Sequence, residues 1–493
     1  MTTLNLLGCQ RAFRGLLAAL LAGSLTSCTR TGSGTAAEPL PLGPEACAVV
    51  RAATHGASGF PAGTSVKVAT AFSSEEAQRF ERSLEVFESC SGIDVVQEAT
   101  DMLESRLRAI DPGVVTPSWR TDLAMVPQPG LAQDLARQGV TVPLPRTVRG
   151  NVELGWDRTW AEVAEVEGEL YAAPLLASVK SFVWYSPQAF AEAGYRVPAS
   201  WRELLDLTAQ IKADHPGGEV TPWCLGVEDG GASGWTLSDW LEEVLLTTQG
   251  SSAYDRWARH EVPLDDPSAV KALKEVESLV LAEGHVPGGR TGARHTTLEA
   301  AGESLAQGRC LMLHASSAYE TILSAGTSVL SAAGSGAGQV QGQSTLDAFP
   351  FPVTAPDDPV LVGGDYLVRV ASPFGTEDVA EAVAAPSGTS HAEAVTAVMD
   401  YLTSADWARR RVALGGVTTG NRAVTPDSVD SAVGQRAIKT LQSRQVAIRF
   451  DASDAMPSSV GTAALWTALV AWNEGSWSAE RALQEAESSW PQD

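Results

Sequence analysis

The sequence has little basic charge and no long apolar run. Of its 493 residues, 35 are Lys or Arg and 59 are Asp or Glu, so the formal charge is −24. A nucleic-acid partner is excluded, because phosphate contacts need a basic surface. The most apolar segment, residues 15–25, has 11 residues, whereas a helix that spans a bilayer needs about 20.

Motifs for catalysis and metal binding are also missing. The seven histidines are scattered, and the chain contains no G-x-S-x-G elbow, no H-E-x-x-H helix and no closely spaced Cys or His pair. We therefore predict no metal, no cofactor and no enzymatic activity. One alternative stays open, because 59 acidic residues offer many carboxylate pairs of the kind that hydrolyse glycosides.

The amino terminus has the pattern of an export signal. Arg11 and Arg14 precede the apolar run, which is followed closely by the segment 25–28 (LTSC). That ending resembles the lipobox of bacterial lipoproteins, which predicts a signal peptide over 1–27 and a lipid on Cys28. The mature protein is then expected outside the cytoplasm, anchored to the outer face of the cell membrane. Ordinary cleavage nearby, with a free Cys28 thiol, is the alternative.

Four cysteines remain after Cys9 and Cys28 are set aside, and an even number in a secreted protein predicts two disulfides. Three connectivities are possible. We favour two pairs that each fall within one region of the chain, namely Cys47–Cys90 and Cys224–Cys310.

Strand-like and helix-like segments alternate after residue 65. Strands are expected at 65–72, 93–98 and 122–126, each followed by a helical pattern, as in an open α/β sheet that binds ligands beyond the carboxyl ends of its strands. Ser200 and Glu203 have capping-box spacing and predict a helix start. The Gly/Ser-rich segment 327–345 predicts a mobile loop.

Several short segments together resemble a known family. Taken in order, they resemble the extracellular solute-binding proteins of bacterial ABC importers, in the maltose-binding-protein class and closest to its α-glucoside-binding branch. The likeness covers about 65–493 and is carried by residues 72–76 (FSSEE), 127–131 (PQPGL), 179–185 (VKSFVWY), 221–224 (TPWC), 363–365 (GGD), 449–457 (RFDASDAMP), Trp466 and 489–491 (SWP).

The resemblance implies a class II periplasmic-binding-protein-like fold, with two α/β lobes and the ligand in the cleft between them. The expected division places a lipid-anchored tether at 28–61, lobe one at 62–175 and 347–418, and lobe two at 176–346 and 419–493. It also implies a monomer that delivers an oligosaccharide, first of all an α-glucoside, to the transmembrane subunits of a permease. A non-sugar cargo, such as a peptide, a polyamine or an iron complex, is the alternative.

A sugar site needs aromatic rings for the apolar pyranose faces and polar side chains for the hydroxyls. Trp466 lies ten residues after Met456-Pro457, and maltose-binding protein has a stacking tryptophan at the same spacing. Trp235 enters a helix from a glycine-rich loop, which favours an exposed ring. Trp184 and Tyr185 alternate along one strand, so one of them faces the helix layer and the other is free for a ligand contact.

The candidate polar contacts lie at predicted strand ends and in one charged segment. Each could instead be an ordinary surface or helix-terminus charge, and the charged segment could form salt bridges within itself. The candidates are Glu75, Gln128, Lys180, Asp365, Arg449, Asp451 and Asp454.

Overall fold

The computed structural model describes residues 44–56, 59–72, 74–111, 119–333, 344–355, 357–371 and 390–491. The predicted signal peptide and the lipidated Cys28 lie outside these residues.

Thirteen strands are found in this part of the chain. In chain order they are β1 (Ser65–Thr70), β2 (Asp94–Ala99), β3 (Leu123–Val126), β4 (Glu165–Val166), β5 (Glu169–Leu170), β6 (Ala172–Val179), β7 (Phe182–Tyr185), β8 (Thr221–Cys224), β9 (Cys310–His314), β10 (Thr327–Val329), β11 (Ser344–Pro350), β12 (Pro359–Arg369) and β13 (Ala447–Phe450).

The α-helices of the described residues are α1 (Pro44–Ala53), α2 (Ser74–Ser91), α3 (Leu103–Arg108), α4 (Pro129–Arg137), α5 (Arg146–Gly155), α6 (Arg158–Glu162), α7 (Pro187–Ala193), α8 (Trp201–Asp214), α9 (Trp235–Gln249), α10 (Ser251–Ala258), α11 (Pro267–Leu279), α12 (Gly289–Arg294), α13 (Leu298–Ala306), α14 (His391–Leu402), α15 (Ala405–Ala413), α16 (Ala432–Leu441), α17 (Ala452–Ala455), α18 (Trp466–Asn473) and α19 (Ala479–Glu487). A π-helix, Ser459–Leu465, runs directly into α18.

Two main sheets organise these elements. The first has the order β13-β12-β3-β1-β2, with β6 also paired to β12, and the second has the order β10-β11-β7-β9-β8. Strands β1, β2 and β3 are parallel, so their carboxyl ends meet at one edge of the sheet, and α2 and α4 begin just beyond it. This is the alternating pattern that the sequence predicts.

The layers are held by two hydrophobic cores. One contains Val68, Leu123 and Val368 from the first sheet and extends to Trp184. The other contains Met312 from the second sheet together with apolar residues of α9, α11 and α18. Each fully buried aliphatic side chain contributes about 1.5–3 kcal/mol to folding, so the interior of both layers is strongly stabilised.

The chain passes between the sheets at Lys180 and Ser181, which join β6 to β7, and again between β11 and β12. The crossings are tied together, because Ser181 O accepts from Phe351 N at 2.9 Å and Ser181 Oγ accepts from Leu361 N at 2.8 Å. Strand β11 spans the predicted boundary at 346/347 and pairs with β7 in the second sheet. Strand β13, inside the predicted lobe two, pairs with β12 in the first sheet.

Both predicted disulfides are confirmed, Cys47–Cys90 and Cys224–Cys310, with Cα–Cα distances of 5.2 and 5.3 Å. Bridges that close loops of this length stabilise a protein by about 4 kcal/mol in the chain-entropy account. The first bridge corrects one expectation. Residues 44–53 are not tether but helix α1, which packs on α2 and is bonded to it through Cys47.

Other local expectations are corrected as well. Within the segment 327–345, Thr327–Val329 form strand β10 and residues 344–345 open strand β11, because each pairs with the other in a parallel ladder.

The capping residue at 200 is confirmed, since Ser200 Oγ accepts from Glu203 N. No helix in the described ranges is both long and apolar enough to span a bilayer.

Candidate functional site

A buried cluster of charges surrounds Lys180, the residue at the first crossing between the sheets. Its Nζ lies 2.9 Å from Asp239 Oδ1, 2.5 Å from Asp451 Oδ2 and 3.4 Å from Asp454 Oδ2. All four side chains are at most 15% exposed. A Cβ at Gly363 would lie 2.9 Å from Lys180 Cε, so the glycine leaves room for the lysine. We refer to Lys180, Asp239, Asp451 and Asp454 as the Lys180 cluster.

The protonation of the Lys180 cluster follows from burial and mutual attraction. Burial lowers the pKa of Lys180, but the three carboxyl groups outweigh it and hold that pKa well above its ordinary value. Burial raises the pKa of Asp454 to about 7 and that of Asp239 well above its usual range, with Asp451 adding to both. Lys180 and hydrogen bonds overcome burial and hold the pKa of Asp451 at about 2. The charged Lys180–Asp451 pair therefore lies beside two carboxyl groups, those of Asp239 and Asp454, whose affinity for protons is raised.

Asp451 is fixed by the start of α17. Its side chain caps that helix by accepting from Asp454 N at 2.9 Å. Glu242, on α9, accepts from Ala452 N at 2.5 Å and Ser453 N at 3.0 Å. Free amide groups at a helix start attract negative charge. These hydrogen bonds join α9 to the start of α17 and thereby fix the position of Asp451.

Hydrogen bonds connect the Lys180 cluster to an indole ring. Ser453 Oγ donates to Asp451 Oδ1 at 2.7 Å and lies 3.2 Å from Ser238 Oγ. Ser238 Oγ in turn accepts from Trp466 Nε1 at 3.0 Å. The position and orientation of the Trp466 ring therefore depend on the same network that fixes Asp451.

Two tryptophans differ from all the others. Trp466 is 6% exposed and Trp235 is half-buried, yet neither belongs to a hydrophobic core or packs against one, whereas every other tryptophan does. Trp235 Nε1 donates to Asp229 at 2.8 Å. Gly234 has a φ of 106°, and a Cβ there would lie 2.5 Å from Trp466 O. Glycine is required at 234 to bring the starts of α9 and α18 together.

A second group of charges lies at the carboxyl edge of the first sheet. Glu76, in the first turn of α2, has its carboxylate 3.9 Å from Arg411 Nη2 of α15. Asp365, on β12, is half-buried, and its carboxyl has no hydrogen bond or ion pair among the described residues. Burial and then Glu76 raise the pKa of Asp365 to about 7, and Arg411 opposes them. We refer to Glu76, Asp365 and Arg411 as the Arg411 group.

The Arg411 group and the Lys180 cluster are neighbours. The Asp365 carboxyl contributes to raising the pKa of Asp454. In addition, α4 packs on α17, and a Cβ at Gly130 would overlap the carbonyl oxygen of Met456. The carboxyl edge of the first sheet therefore meets the segment that carries Asp451 and Asp454.

Two further predicted residues lie near this meeting point. Glu75 is exposed and pairs with Arg79 one turn along α2, with 2.5 Å between the charged atoms. Gln128 is the half-buried residue before α4, and its side chain makes no capping hydrogen bond. Both stay candidates for the rim of the site.

Three predicted residues are placed elsewhere. Trp184 is fully buried, and its Nε1 donates to the carbonyls of Ala315 and Ser316, so neither ring face is free. Tyr185 packs between Phe190 and Phe349. We leave both aromatic residues out of the proposed site.

Arg449 is also separate from the cluster. Its guanidinium makes two hydrogen bonds to Asp255 on α10, at 2.5 and 3.0 Å. The alternative of salt bridges within the charged segment 449–454 does not hold for the arginine, because a carboxylate brought in by another helix offers both oxygens to its guanidinium. We leave Arg449 out of the proposed site.

Sequence reasoning gave too little weight to three residues of the site. The signal for Asp239 is its place one helical turn after Trp235, on the same face of α9. Glu76 lies in the first turn of α2, where a carboxylate is ordinarily a helix-terminus charge. Arg411 has no local signal at all, because it is the last of three consecutive arginines, 409–411.

The site does not resemble a metal centre. Among the described ranges, no group of three or more His, Cys, Asp or Glu side chains has the geometry to hold a metal ion. In the Lys180 cluster the ammonium group already occupies the position among the carboxylates. What the arrangement offers is oxygen acceptors beside two indole rings.

A surface depression of about 580 Å³ lies beside α11, lined by residues such as Val270, Lys271 and Lys274. Lys274 pairs there with Glu480, and 54% of each of the two side chains is exposed. Such exposed ion pairs are worth little energy, and the lining contains no aromatic ring, so we do not assign a ligand to it.

Comparison with known proteins decides the family. A family model described as bacterial extracellular solute-binding protein matches residues 73–409. The chain belongs to the bacterial extracellular solute-binding proteins. This confirms the resemblance noted in the sequence, and the family is one of binding proteins of ABC importers, not of enzymes.

Two relatives of this solute-binding protein align over most of their length. It is 30% identical over 425 residues to the osmoprotective compounds-binding protein GgtB of Synechocystis, covering 85% of this chain and 90% of that one. It is 28% identical over 417 residues to the alpha-glucosides-binding periplasmic protein AglE of Rhizobium meliloti, covering 82% of each.

Solved structures show the fold of the solute-binding protein. The solute receptor AcbH, described as specific for β-D-galactopyranose, superimposes with a TM-score of 0.67 and 16% identity, covering 86% of this chain and 98% of that one. Maltose-bound MalE3 of T. maritima gives 0.62 and 17%, with 86% and 98% covered. The predicted two-lobe periplasmic-binding-protein fold is thereby confirmed.

Proposed function

We propose that this protein is the substrate-binding lipoprotein of an ABC importer and captures an oligosaccharide, in the first place an α-glucoside, in the cleft between its lobes. The observation that carries this proposal is the pair Trp235 and Trp466. They are the two indole rings that belong to neither hydrophobic core, and Trp466 is linked through Ser238 and Ser453 to the buried carboxyl group of Asp451.

The chemistry of this arrangement suits a sugar. A pyranose stacks an apolar face on an indole ring and donates hydroxyl protons to carboxylates. Trp235 and Trp466 supply the rings in the proposed site, while Asp365 and Asp454 supply acceptors from opposite sides. Glu75 and Gln128 lie at its rim, and Lys180 and Asp451 fix the geometry beneath it.

The relatives support the class of cargo. Both proteins that align over most of the chain bind, by name, small osmoprotective compounds or alpha-glucosides. The residues of this site are oxygen-rich and carry few free cations, which suits a neutral polyhydroxyl ligand better than an anion. The lobes proposed from the sequence, with the crossings at Ser181, would close around it by hinge rotation.

The proposal includes the membrane anchor. Cleavage before Cys28 and acylation of that cysteine would hold the protein at the outer face of the cell membrane, beside the permease subunits to which it delivers its ligand. A lipid is needed because the acidic surface would be repelled by anionic headgroups. Radiolabelled palmitate incorporation into the wild type, absent from Cys28→Ser, tests this part.

A thermal-shift screen over mono-, di- and trisaccharides tests the cargo. A ligand that binds the native state raises the melting temperature, so at least one α-glucoside is expected to stabilise the protein and to bind in calorimetry. If no sugar shifts the melting temperature while a peptide or polyamine does, the sugar assignment is overturned.

Replacement of the ring tests the site. Trp466→Ala is expected to weaken binding of the best sugar at least tenfold, about 1.4 kcal/mol, because the stacking surface is lost. Trp477→Ala is the matched control, since Trp477 packs against the second core and has Arg481 over its ring. Equal affinities for Trp466→Ala and the wild type would contradict the assignment.

A further inference from the structure

Arg411 is an unusual residue for a helix that covers the first sheet. Its side chain is fully buried, and Nη1 donates to Gly415 O at 3.1 Å. Nε and Nη2, also buried, have no hydrogen-bond partner among the residues that the structure describes. The nearest carboxylate oxygen, on Glu76, is 3.9 Å from Nη2.

Such burial needs a compensating role. A guanidinium removed from water normally uses its planar fork on a carboxylate, because unpaired buried donors destabilise the native state. Burial lowers the pKa of Arg411 to about 10, which leaves the group charged at neutral pH. A positively charged guanidinium is therefore buried in the protein with only part of its hydrogen-bonding capacity used.

The surroundings of Arg411 identify what it acts on. Glu76 and Asp365 are the carboxylates that face it, and Arg79 and Arg82 of α2 are the like charges. Asp365 also faces Asp454, which is paired with Lys180. Arg411 thus lies behind two carboxylates whose other sides face the proposed sugar site.

We propose that Arg411 is a positioning residue of the sugar site, which holds the carboxylates of Glu76 and Asp365 from behind so that they accept hydrogen bonds from neighbouring hydroxyl groups of the ligand. This inference rests on the proposed function. Arg411 itself touches no ligand in this arrangement, and its effect is exerted through the two carboxylates.

The physical basis is the strength of a charged acceptor. A hydrogen bond to a carboxylate is about twice as strong as one to a neutral acceptor, and a buried carboxyl group needs a nearby cation to stay ionised at neutral pH. Because its two free nitrogens lie near both carboxylates, Arg411 can stabilise either one as the ligand approaches.

The experiment measures sugar affinity by calorimetry at pH 6, 7 and 8 in the wild type, Arg411→Gln, Arg411→Lys and Arg410→Gln. Arg411→Gln should weaken binding about 10- to 100-fold at pH 7, as expected for charge-assisted hydrogen bonds. The loss should be smaller at pH 8, because Asp365 without its cation ionises at higher pH. Arg411→Lys, which keeps the charge, should recover part of the affinity.

Arg410→Gln is the matched control on the same helix. Arg410 pairs with Asp406 one turn away on its own helix at 2.8 Å, with 34% of its side chain exposed, and its loss should change affinity by less than about twofold. A second test uses a protein in which both carboxylates are already replaced. In the variant with Glu76→Gln and Asp365→Asn, adding Arg411→Gln should have no further effect on affinity if Arg411 acts through these two carboxylates.

The outcomes separate this inference from the proposed function. If the wild type binds no sugar, the proposed function is overturned. If the wild type binds but Arg411→Gln binds equally well, or loses the same factor at every pH with no recovery in Arg411→Lys, the positioning role is overturned. Should Arg411→Gln fail to fold, the pH profile of Arg411→Lys alone decides, since a profile identical to that of the wild type with unchanged affinity contradicts the role.

Discussion

The two sides of the proposed site are built differently. In the Lys180 cluster the ammonium group contacts three carboxyl groups, and Asp451 also receives hydrogen bonds from Ser453 and the α17 backbone. In the Arg411 group the Asp365 carboxyl has no described partner, and two guanidinium nitrogens of Arg411 are unpaired. One side is fully paired in the free protein, and in our proposal the other gains its missing hydrogen bonds at the carboxyl groups when the ligand binds.

This contrast separates stability from recognition. Groups that are fully paired in the interior are strongly destabilising when one partner is removed. Groups left without partners destabilise the free protein slightly and gain when a ligand supplies the missing hydrogen bonds. Mutations on the two sides should therefore have opposite effects on the stability of the free protein.

The largest effect is expected from Lys180→Met. Loss of the ammonium leaves buried carboxyl groups uncompensated, and removal of one partner from a buried ion pair lowers the free energy of unfolding by about 3–5 kcal/mol. The loss should be greater at pH 8 than at pH 5, where the carboxyl groups can take up protons. Urea denaturation measures it, with Lys271→Met, an exposed lysine, as the control. Equal midpoints for the wild type and Lys180→Met would remove the distinction between the two sides.

Asp365→Asn should act in the opposite direction. The native pKa of Asp365 is raised from 3.8 to about 7, so the native state binds the proton more tightly and loses stability as pH rises from about 4 to 7. The asparagine should therefore stabilise the free protein at pH 8, on the order of 2 kcal/mol, with no gain at pH 4.

The same variant should bind the sugar more weakly, because it loses a charged acceptor. Denaturation and calorimetry on one sample measure both changes, and Asp101→Asn, at an exposed turn, serves as the control. A variant that is destabilised at pH 8 would show that Asp365 belongs with the fully paired groups.

The smallest effect is expected from Ser238→Ala. This change removes the oxygen that accepts from Trp466 Nε1, and a neutral hydrogen bond contributes about 1 kcal/mol. Sugar affinity should fall about fivefold, and the free energy of unfolding should fall by about 1 kcal/mol, because the buried Trp466 Nε1 and Ser453 Oγ lose a hydrogen-bond partner. The exposed Ser278→Ala is the control. If affinity is unchanged, Trp466 does not depend on the link to the Lys180 cluster.

Sequence reasoning reached the parts of the site that carry local signals. Trp235 was found through its glycine-rich approach and Trp466 through its spacing from Met456-Pro457, and these are the two rings outside the cores. The α/β order, the capping at Ser200 and both disulfides were also predicted, because helix starts and strand patterns are local properties of the chain.

What escaped prediction depends on contacts between distant segments. Arg449 pairs with Asp255, 194 residues away, and no pattern near either residue indicates this. Which of three consecutive arginines turns inward is decided by the packing of α15 on α2, so Arg411 could not be chosen from its neighbours. The alternation of side chains along β7 does not tell whether Trp184 is buried or exposed. Its burial depends on the segment after β9, whose carbonyl groups at Ala315 and Ser316 accept from its Nε1.

The π-helix before α18 changes which side chains of this helix face the second core. A π-helix contains an extra residue per turn relative to the α-helix, so it shifts the sequence by about one position around the helix axis. Leu465 and Leu469 stay in the second core, while Trp466, between them in sequence, faces Ser238 outside it. Deletion of one residue from this stretch would therefore shift Trp466 by about one position around the helix axis, away from Ser238.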